Sequence, residues 1–463
     1  MALGEPLTLR RLVAMTRREP RHDEFRPIKV IVVDVEEPLS SADIHDVAAS
    51  QFYGSAWVLV RLHGRPLGTL TVTAADLAAT EDYLGKEIRR RWGPLIDSHF
   101  RSHSMSRGDP SCVLAGWESC LRERLPITPS VSVVVPTCRR PEELLSCVDS
   151  LLATGYPSLE VLVVDNAPKE PSTAAAVADR YGLDEQVRYL AEPTPGASRA
   201  RNRGVASARG EIIAFVDDDV LVDRHWLAAL VEALDRHPSV ACVTGLVIPE
   251  SLESPVQFWF EQFGGFDRGY VRRHFDLINN KGDTLLYPYT AGALGGLGNA
   301  AFRRSALNAL AAFEVTLGPG TPAFGAEDQD AFVSLLASGG QFLYEPSALV
   351  RHSHRDSYQE LRWQVFTYGA GMVAGLVHWA LQDRLVAREL LGRIVTALPA
   401  ILRGGYRKAA LQSATDECPT SLRRLERMGH LYGLIAYARA VCYRRRIERH
   451  DSQNSSNDSM GAG

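Results

Sequence analysis

The sequence predicts an α/β protein, a sheet flanked by helices, with a small α+β module before it and a helical extension after it. Three observations carry that prediction. From residue 131 onward, short apolar runs alternate with amphipathic helical stretches, the rhythm of strand–helix–strand units. Two of these runs end in acids: Val161-Leu162-Val163-Val164 meets Asp165-Asn166, and Ile212-Ile213-Ala214-Phe215-Val216 meets Asp217-Asp218-Asp219. A run apolar at every position suits a strand buried on both faces, and open α/β sheets bind ligands at the carboxyl ends of such strands. The flanks differ in texture: three strand-like runs lie between residues 28 and 72, and the pattern is helical from 358 to about 446.

In order, residues 1–24 are charged and irregular. Strands are predicted at 28–35, 57–62 and 68–72, with His63-Gly64-Arg65-Pro66 as a hairpin loop and a helix over 74–91. A proline-marked linker at 122–129 closes a module spanning 1–128. The central unit, 129–355, opens with a strand at 131–135 and a helix begun by Pro141, whose missing N–H is not needed at a first helical position. Strand 161–164, a helix over 172–180, strand 187–190 and a proline–glycine turn feeding an arginine-dense helix lead to strand 212–216. A helix at 225–235 and a strand at 240–247 follow. Residues 257–270, rich in Phe, Trp and Gly, read as irregular and mobile. A glycine-rich stretch at 291–299, a helix opened by Glu327-Asp328-Gln329-Asp330 and a last strand at 341–344 complete the unit. Residues 356–450 form the helical extension, and the polar tail 451–463 is expected to be disordered.

The chain of 463 residues is long enough for two or three domains, and its net charge of −4 argues against a nucleic-acid partner. Seven cysteines, an odd number with no CxxC pair, favour a reducing, cytoplasmic compartment over a disulfide framework. Residues 1–20 hold no apolar stretch of signal-peptide length. The uncharged stretch 363–382 is interrupted by Gln364, Thr367 and His378, so a buried helix is preferred to a membrane span.

Alternate residues of an extended segment point the same way, so Asp217 and Asp219 can face one site while Asp218 faces away. Two convergent carboxylates suit Mg²⁺ or Mn²⁺. The competing reading is that acids after a strand cap the next helix, whose first turn welcomes negative charge.

Five motifs, in order, resemble family 2 glycosyltransferases of the GT-A fold, a Rossmann-like mixed sheet flanked by helices. They are Val133-Val134-Val135-Pro136-Thr137, Val163-Val164-Asp165-Asn166, Gly196 through Asn202, Phe215-Val216-Asp217-Asp218-Asp219 and Glu327-Asp328-x-Asp330. The resemblance covers roughly residues 130–355 and implies roles. Pro136, Thr137 and Arg139 would form the nucleotide loop, with Asp165 meeting the base. Arg201 and Asn202 would lie by ribose and diphosphate, since a guanidinium suits phosphate, and Asp218 would also serve the donor. Asp217 and Asp219 match the DxD metal motif, with Asp218 and Asp219 as the alternative pair, and His352 or His354 is a candidate metal ligand. Gly298, Asn299 and Glu327 would line the acceptor side, Asp328 would be the general base, and Asp330 would only favour the helix start. The implied activity is inverting, Mn²⁺- or Mg²⁺-dependent transfer from a nucleotide-diphosphate sugar to an acceptor hydroxyl.

Two other functions compete. A sugar-phosphate nucleotidylyltransferase would share the sheet and the metal acids, but Pro136-Thr137-Cys138 lacks that class's Gly-rich loop. A non-catalytic nucleotide-sugar or carbohydrate-binding protein would tolerate loss of the acid at 328, which is present. Apolar residues at 385–402 beside Arg384, Arg388, Arg393 and Arg403 suggest peripheral contact with the inner face of a membrane, against the reading that this face packs on the catalytic unit.

Overall fold

The structure, a computed structural model, describes residues 25–37, 46–49, 51–79, 82–102, 128–266, 268–290, 294–310, 312–402 and 418–460. The expected irregular start, most of the 122–129 linker and part of the 291–299 stretch lie outside those residues.

The N-terminal module is a three-stranded sheet of β1 (Ile28–Asp34), β2 (Ser55–Leu62) and β3 (Arg65–Thr73). β1 runs parallel to β2, and β3 antiparallel to it. Only His63 and Gly64 join β2 to β3, and both have positive φ, 50° and 68°. Those dihedrals belong to a type I′ turn, whose twist matches a hairpin, so Arg65 and Pro66 open β3 instead of lying in the loop. The single helix expected at 74–91 is two, Ala74–Ala79 and Tyr83–Ser102. Thr73 and Asp76 cap the first reciprocally, each side chain accepting from the other's backbone N–H.

The second sheet carries β4 (Val131–Thr137), β5 (Leu159–Asn166), β6 (Val187–Glu192), β7 (Ile212–Val216), β8 (Val220–Val222), β9 (Val240–Pro249), β10 (Arg273–Phe275), β11 (Asn299–Arg303) and β12 (Gln341–His352). Its order is β10-β12-β9-β11-β7-β4-β5-β6, with β8 beside β12. β6, β5, β4 and β7 are parallel, linked by helices Pro141–Leu152, Ser172–Tyr181 and Ala197–Ser207. β11 is antiparallel to both β7 and β9, which makes the sheet mixed. The central strands are apolar throughout because both faces are covered. Val133 and Val135 meet Leu144, Val148 and Trp226 on one face, while Val134 and Phe215 meet Phe302 and Phe332 on the other.

Of the aromatic segment 257–270, expected to be irregular and mobile, residues 257–263 are helical, 264–266 and 268–270 lack helix or strand, and 267 lies outside the described residues. Helix Pro255–Phe263 starts at a complete capping box of Ser254 and Gln257, with Pro255 at its first position. Trp259 and Phe260 are buried with Tyr358, Leu361 and Val365, so the aromatic richness serves packing. The extension comprises helices Tyr358–Gln382, Arg384–Leu402 and Thr420–Met460. The last passes through 451–460, where disorder is expected; prolonging a helix already nucleated adds a hydrogen bond per residue without a new nucleation cost. Gly429 lets two helices touch by their backbones, since a Cβ there would stand 2.1 Å from the Phe366 carbonyl oxygen. Among the described residues, no helix is long and apolar enough to cross a membrane.

The module is built into the central unit. Trp57 and Leu59 of β2 enter the same apolar cluster as Phe215 and Tyr344, while Val58 and Val60 face the module's own core. Arg61, only 3% exposed, donates through Nε and Nη2 to Asp34 (2.9 and 2.6 Å) and through Nη1 to Asp223 (2.8 Å), just beyond β8. Removing one member of a buried charge group strands its partners. Arg61→Ala is therefore expected to lower unfolding free energy by about 3–5 kcal/mol. Denaturant titration measures this, and a change below about 1 kcal/mol would show that water reaches the acids.

Candidate active site

β7 ends at Val216 and delivers three acids into three different environments. Asp217 accepts from Arg201 Nη2 (3.2 Å), and its side chain is 39% exposed. Arg201, on helix Ala197–Ser207, is buried, and its Nη1 donates to Glu327 Oε1 (2.9 Å), the first residue of helix Glu327–Ala337. One guanidinium thus ties the β7 tip to the start of that helix. Gly298 makes room: a Cβ there would stand 2.5 Å from Asp217 Oδ2.

Residues 218–219 form a turn instead of the extended chain that alternation assumes, so Asp218 shares Arg140 with Asp219 while Asp217 pairs with Arg201. Asp218 accepts from Thr137 Oγ1 (2.8 Å) and Arg140 Nη1 (3.3 Å). Burial, then the Asp219 charge, pushes its carboxyl up to about 6. Asp219 accepts from Arg140 Nη1 (2.8 Å), with His352 Nε2 at 3.5 Å and Arg355 Nη2 at 3.8 Å. Burial opposes its charged form, but His352, Arg140 and Arg355 outweigh burial and hold its pKa below the ordinary value. Burial also pushes the His352 imidazole down, with Asp219 and Asp217 pulling the other way. Asp328 follows Glu327, and its Oδ1 accepts from the Gln329 N–H (2.7 Å). Burial and then the Glu327 charge raise its pKa above the usual carboxylate range, while Arg201 works against them.

Of the nucleotide-loop residues, Pro136 is half-buried and Arg139 is exposed with φ 59°, where it is free to meet a ligand. Asp165 is buried and accepts from Tyr189 Oη (2.9 Å); burial raises its pKa, against hydrogen bonds from Tyr189 and Thr173. Two residues expected at ligands are used by the fold itself. Asn202 exchanges both amide groups with the Phe313 backbone, donating at 2.9 Å and accepting at 2.8 Å. Asn299 is 1% exposed; it donates to the Leu246 and Ala348 carbonyls and accepts from Trp226 Nε1. An asparagine with every group satisfied in the interior has none left for an acceptor.

Arg140, Arg355 and Tyr368 were not singled out from the sequence. Pro141 at a helix start makes Arg140 the residue before that helix, facing the strand ends, and this was the available signal. Tyr368, 45% exposed on helix Tyr358–Gln382, lies in the field of Asp219 and Asp217, a proximity that only the fold creates.

Among the described residues, no three His, Cys, Asp or Glu side chains form a ready-made metal cage. Mg²⁺-type sites do not need one, because such ions are usually held by one or two carboxylates plus substrate phosphates. Asp217 is open to solvent on one side, and His352 Nε2 faces Asp219 beyond hydrogen-bond distance, so this oxygen and nitrogen set fits Mn²⁺ or Mg²⁺.

A parallel half-sheet with acids at the tip of β7, followed by an antiparallel β11 and an acid-led helix facing those acids, is the build of a GT-A glycosyltransferase. Residues 132–310 match the model of Glycosyl transferase family 2. The chain is 31% identical over 239 residues to the succinoglycan biosynthesis protein ExoM of Rhizobium meliloti, covering 50% of this chain and 70% of that one. It is 26% identical over 245 residues to a glucosyl-dolichyl phosphate glucuronosyltransferase of Haloferax volcanii, covering 51% and 73%. A mannosyltransferase of Pyrobaculum calidifontis, solved in complex with GDP-Man and Mn2+, aligns at a TM-score of 0.44 and 18% identity over 71% of this chain and 93% of that one, too distant a likeness to carry an argument. The chain belongs to glycosyltransferase family 2 and is a glycosyltransferase.

Gly298→Ala tests the packing around Asp217. The added methyl forces the carboxylate to turn while β11 stays in place. Misplacement of about 1 Å at a reacting site costs on the order of 10²-fold, so nucleoside diphosphate release should fall by roughly that factor with little change in melting temperature. Full activity would show that the Asp217 position is immaterial.

Proposed function

We propose that this glycosyltransferase is inverting and metal-dependent, moving a sugar from a nucleotide-diphosphate sugar to an acceptor hydroxyl with Asp328 as general base. The observation that carries this reading is the Asp217–Arg201–Glu327 link, which fixes Asp328 relative to the acids at the β7 tip. The acceptor O–H gives its proton to the Asp328 carboxylate as its oxygen bonds to the anomeric carbon. The bond from that carbon to the diphosphate breaks with inversion, and the nucleoside diphosphate leaves. Pro136, Thr137, Arg139 and Asp165 serve the nucleotide, and Arg140 and Arg355, both beside Asp219, are the guanidiniums that suit the departing phosphates. Asp217, Asp219 and His352 would hold Mn²⁺ or Mg²⁺ together with the donor's phosphates, and the ion would supply neutralisation of the charge growing on the diphosphate. Gly298 and Glu327 border the acceptor side.

Asp328→Asn keeps the shape and removes the proton acceptor. Single-turnover transfer at saturating donor should fall by about 10²–10⁴, with donor affinity nearly unchanged. A rate near that of the parent would reject the assignment. The pH profile follows from the same group. Only the carboxylate accepts a proton, and burial beside Glu327, partly offset by Arg201, raises its pKa. The active form is therefore lost on acidification at higher pH than for an ordinary aspartate of about 3.9. The transfer rate should decline as pH falls below neutrality; a rate still flat at pH 5 would contradict the buried base.

The extension supports peripheral contact with an anionic membrane surface. Helix Arg384–Leu402 packs Leu390 against Tyr289 and Trp379, yet leaves Leu385 and Leu391 71% and 64% exposed beside Arg384 and Arg388. Arg403, expected to join them, lies outside the described residues. An apolar strip edged by cations suits anionic lipid. In co-sedimentation, the protein should pellet with anionic vesicles and not with neutral ones; equal recovery in both supernatants would remove the membrane contact.

A further inference from the structure

We propose that Glu261 and His354 are positioning residues, which set the tautomer of His352 so that its Nε2 lone pair faces Asp219 and is ready for a divalent cation. The inference rests on the metal-dependent reading of the site and extends it to side chains that do not touch the metal themselves.

Three groups from two elements form a chain. His352 ends β12, His354 follows two residues later, and Glu261 belongs to helix Pro255–Phe263. His354 Nε2 lies 2.6 Å from Glu261 Oε1, and His354 Nδ1 lies 3.1 Å from His352 Nδ1. Both inner members are sealed, with side-chain exposures of 1% for His354 and 4% for Glu261. Phe266 packs on the His352 ring and Phe260 on the His354 ring, so neither imidazole can turn over freely.

The direction follows for rings that carry one proton each. A carboxylate can only accept, so a singly protonated His354 holds its proton on Nε2, toward Glu261. His354 Nδ1 then carries a lone pair, and the 3.1 Å contact requires the proton of His352 to be on Nδ1. That leaves a lone pair on His352 Nε2, 3.5 Å from Asp219 Oδ1. Two lone-pair-bearing atoms aimed at one another attract nothing by themselves, and a cation between them satisfies both. Histidine ligands commonly have the other ring nitrogen held this way, and loss of the outer partner typically lowers metal affinity 10–100-fold. Here the outer partner is a second histidine, itself anchored by a buried carboxylate.

Glu261→Gln replaces a pure acceptor by an amide that can also donate. Donation to His354 Nε2 would move that ring's proton to Nδ1, and with it the His352 proton to Nε2, blocking the ligand position. Titrating the full chain with Mn²⁺ alone and following the free-ion EPR signal should show binding by the parent protein and affinity about 10–100-fold weaker in Glu261→Gln. Equal affinity in the two proteins would overturn the relay. No Mn²⁺ uptake by the parent would instead overturn the metal-dependent reading. A second measurement reads the tautomer directly: ¹⁵N-histidine spectra of the metal-free parent, with His352 assigned by its loss in His352→Gln. We expect the proton on Nδ1 of His352, and a proton on Nε2 would sink the proposal. A merely structural role for Glu261 would leave that tautomer unmoved in Glu261→Gln.

Discussion

A guanidinium taken out of water must be paired, and the pairing of Arg201 sets the geometry of the site. Its partners come from distant parts of the chain: Asp217 at the tip of a parallel strand and Glu327 at the head of a helix 110 positions later. The burial that makes an unpaired Arg201 so costly also makes the link rigid. The acids at the β7 tip and the helix that starts at Glu327 therefore cannot drift apart without exposing or stranding a charge. Asp328 takes its position, and the pressure on its proton, from being the next residue along.

The three consecutive acids show how one strand end can hold like charges side by side. Asp217 has a guanidinium of its own in Arg201, whereas Asp218 and Asp219 share Arg140 Nη1, with the Thr137 hydroxyl added at Asp218 and His352 facing Asp219. The turn at 218–219 separates Asp217 from the other two. The middle acid, turned toward β4, accepts from Thr137 and so ties down the loop that follows that strand.

The parallel half of the sheet was legible in the sequence because strands buried on both faces are apolar at every position, and the acids mark their ends. Pro141, Gly196 and the acid-led helix at Glu327 were legible for equally local reasons. What escaped was non-local. β11 reads as Asn-Ala-Ala-Phe-Arg, too short to announce itself, and is a strand because β7 and β9 leave a gap for it. Helix Pro255–Phe263 carries a full capping box, but its aromatic content reads as looseness in the sequence because its partners lie about 100 residues away. Asn202 and Asn299 have the residue type of ligand contacts, and only their hydrogen bonds to backbone groups reveal that the fold uses them. Arg140 and Arg355 matter through proximity to Asp219, which spacing along the chain does not encode.

Arg61 bears on where this enzyme begins. Similarity to the family starts at residue 132, and a border drawn there cuts between Arg61 and Asp223. A unit excised or grafted at that border would carry an orphaned carboxylate four residues past Asp219, close to the three acids at the β7 tip. It would also bare the apolar surface that Trp57 and Leu59 cover. The inheritable unit is thus larger than the recognisable one. Exchanging catalytic halves between relatives should succeed only when the strand bearing the arginine travels with the strand bearing its acid.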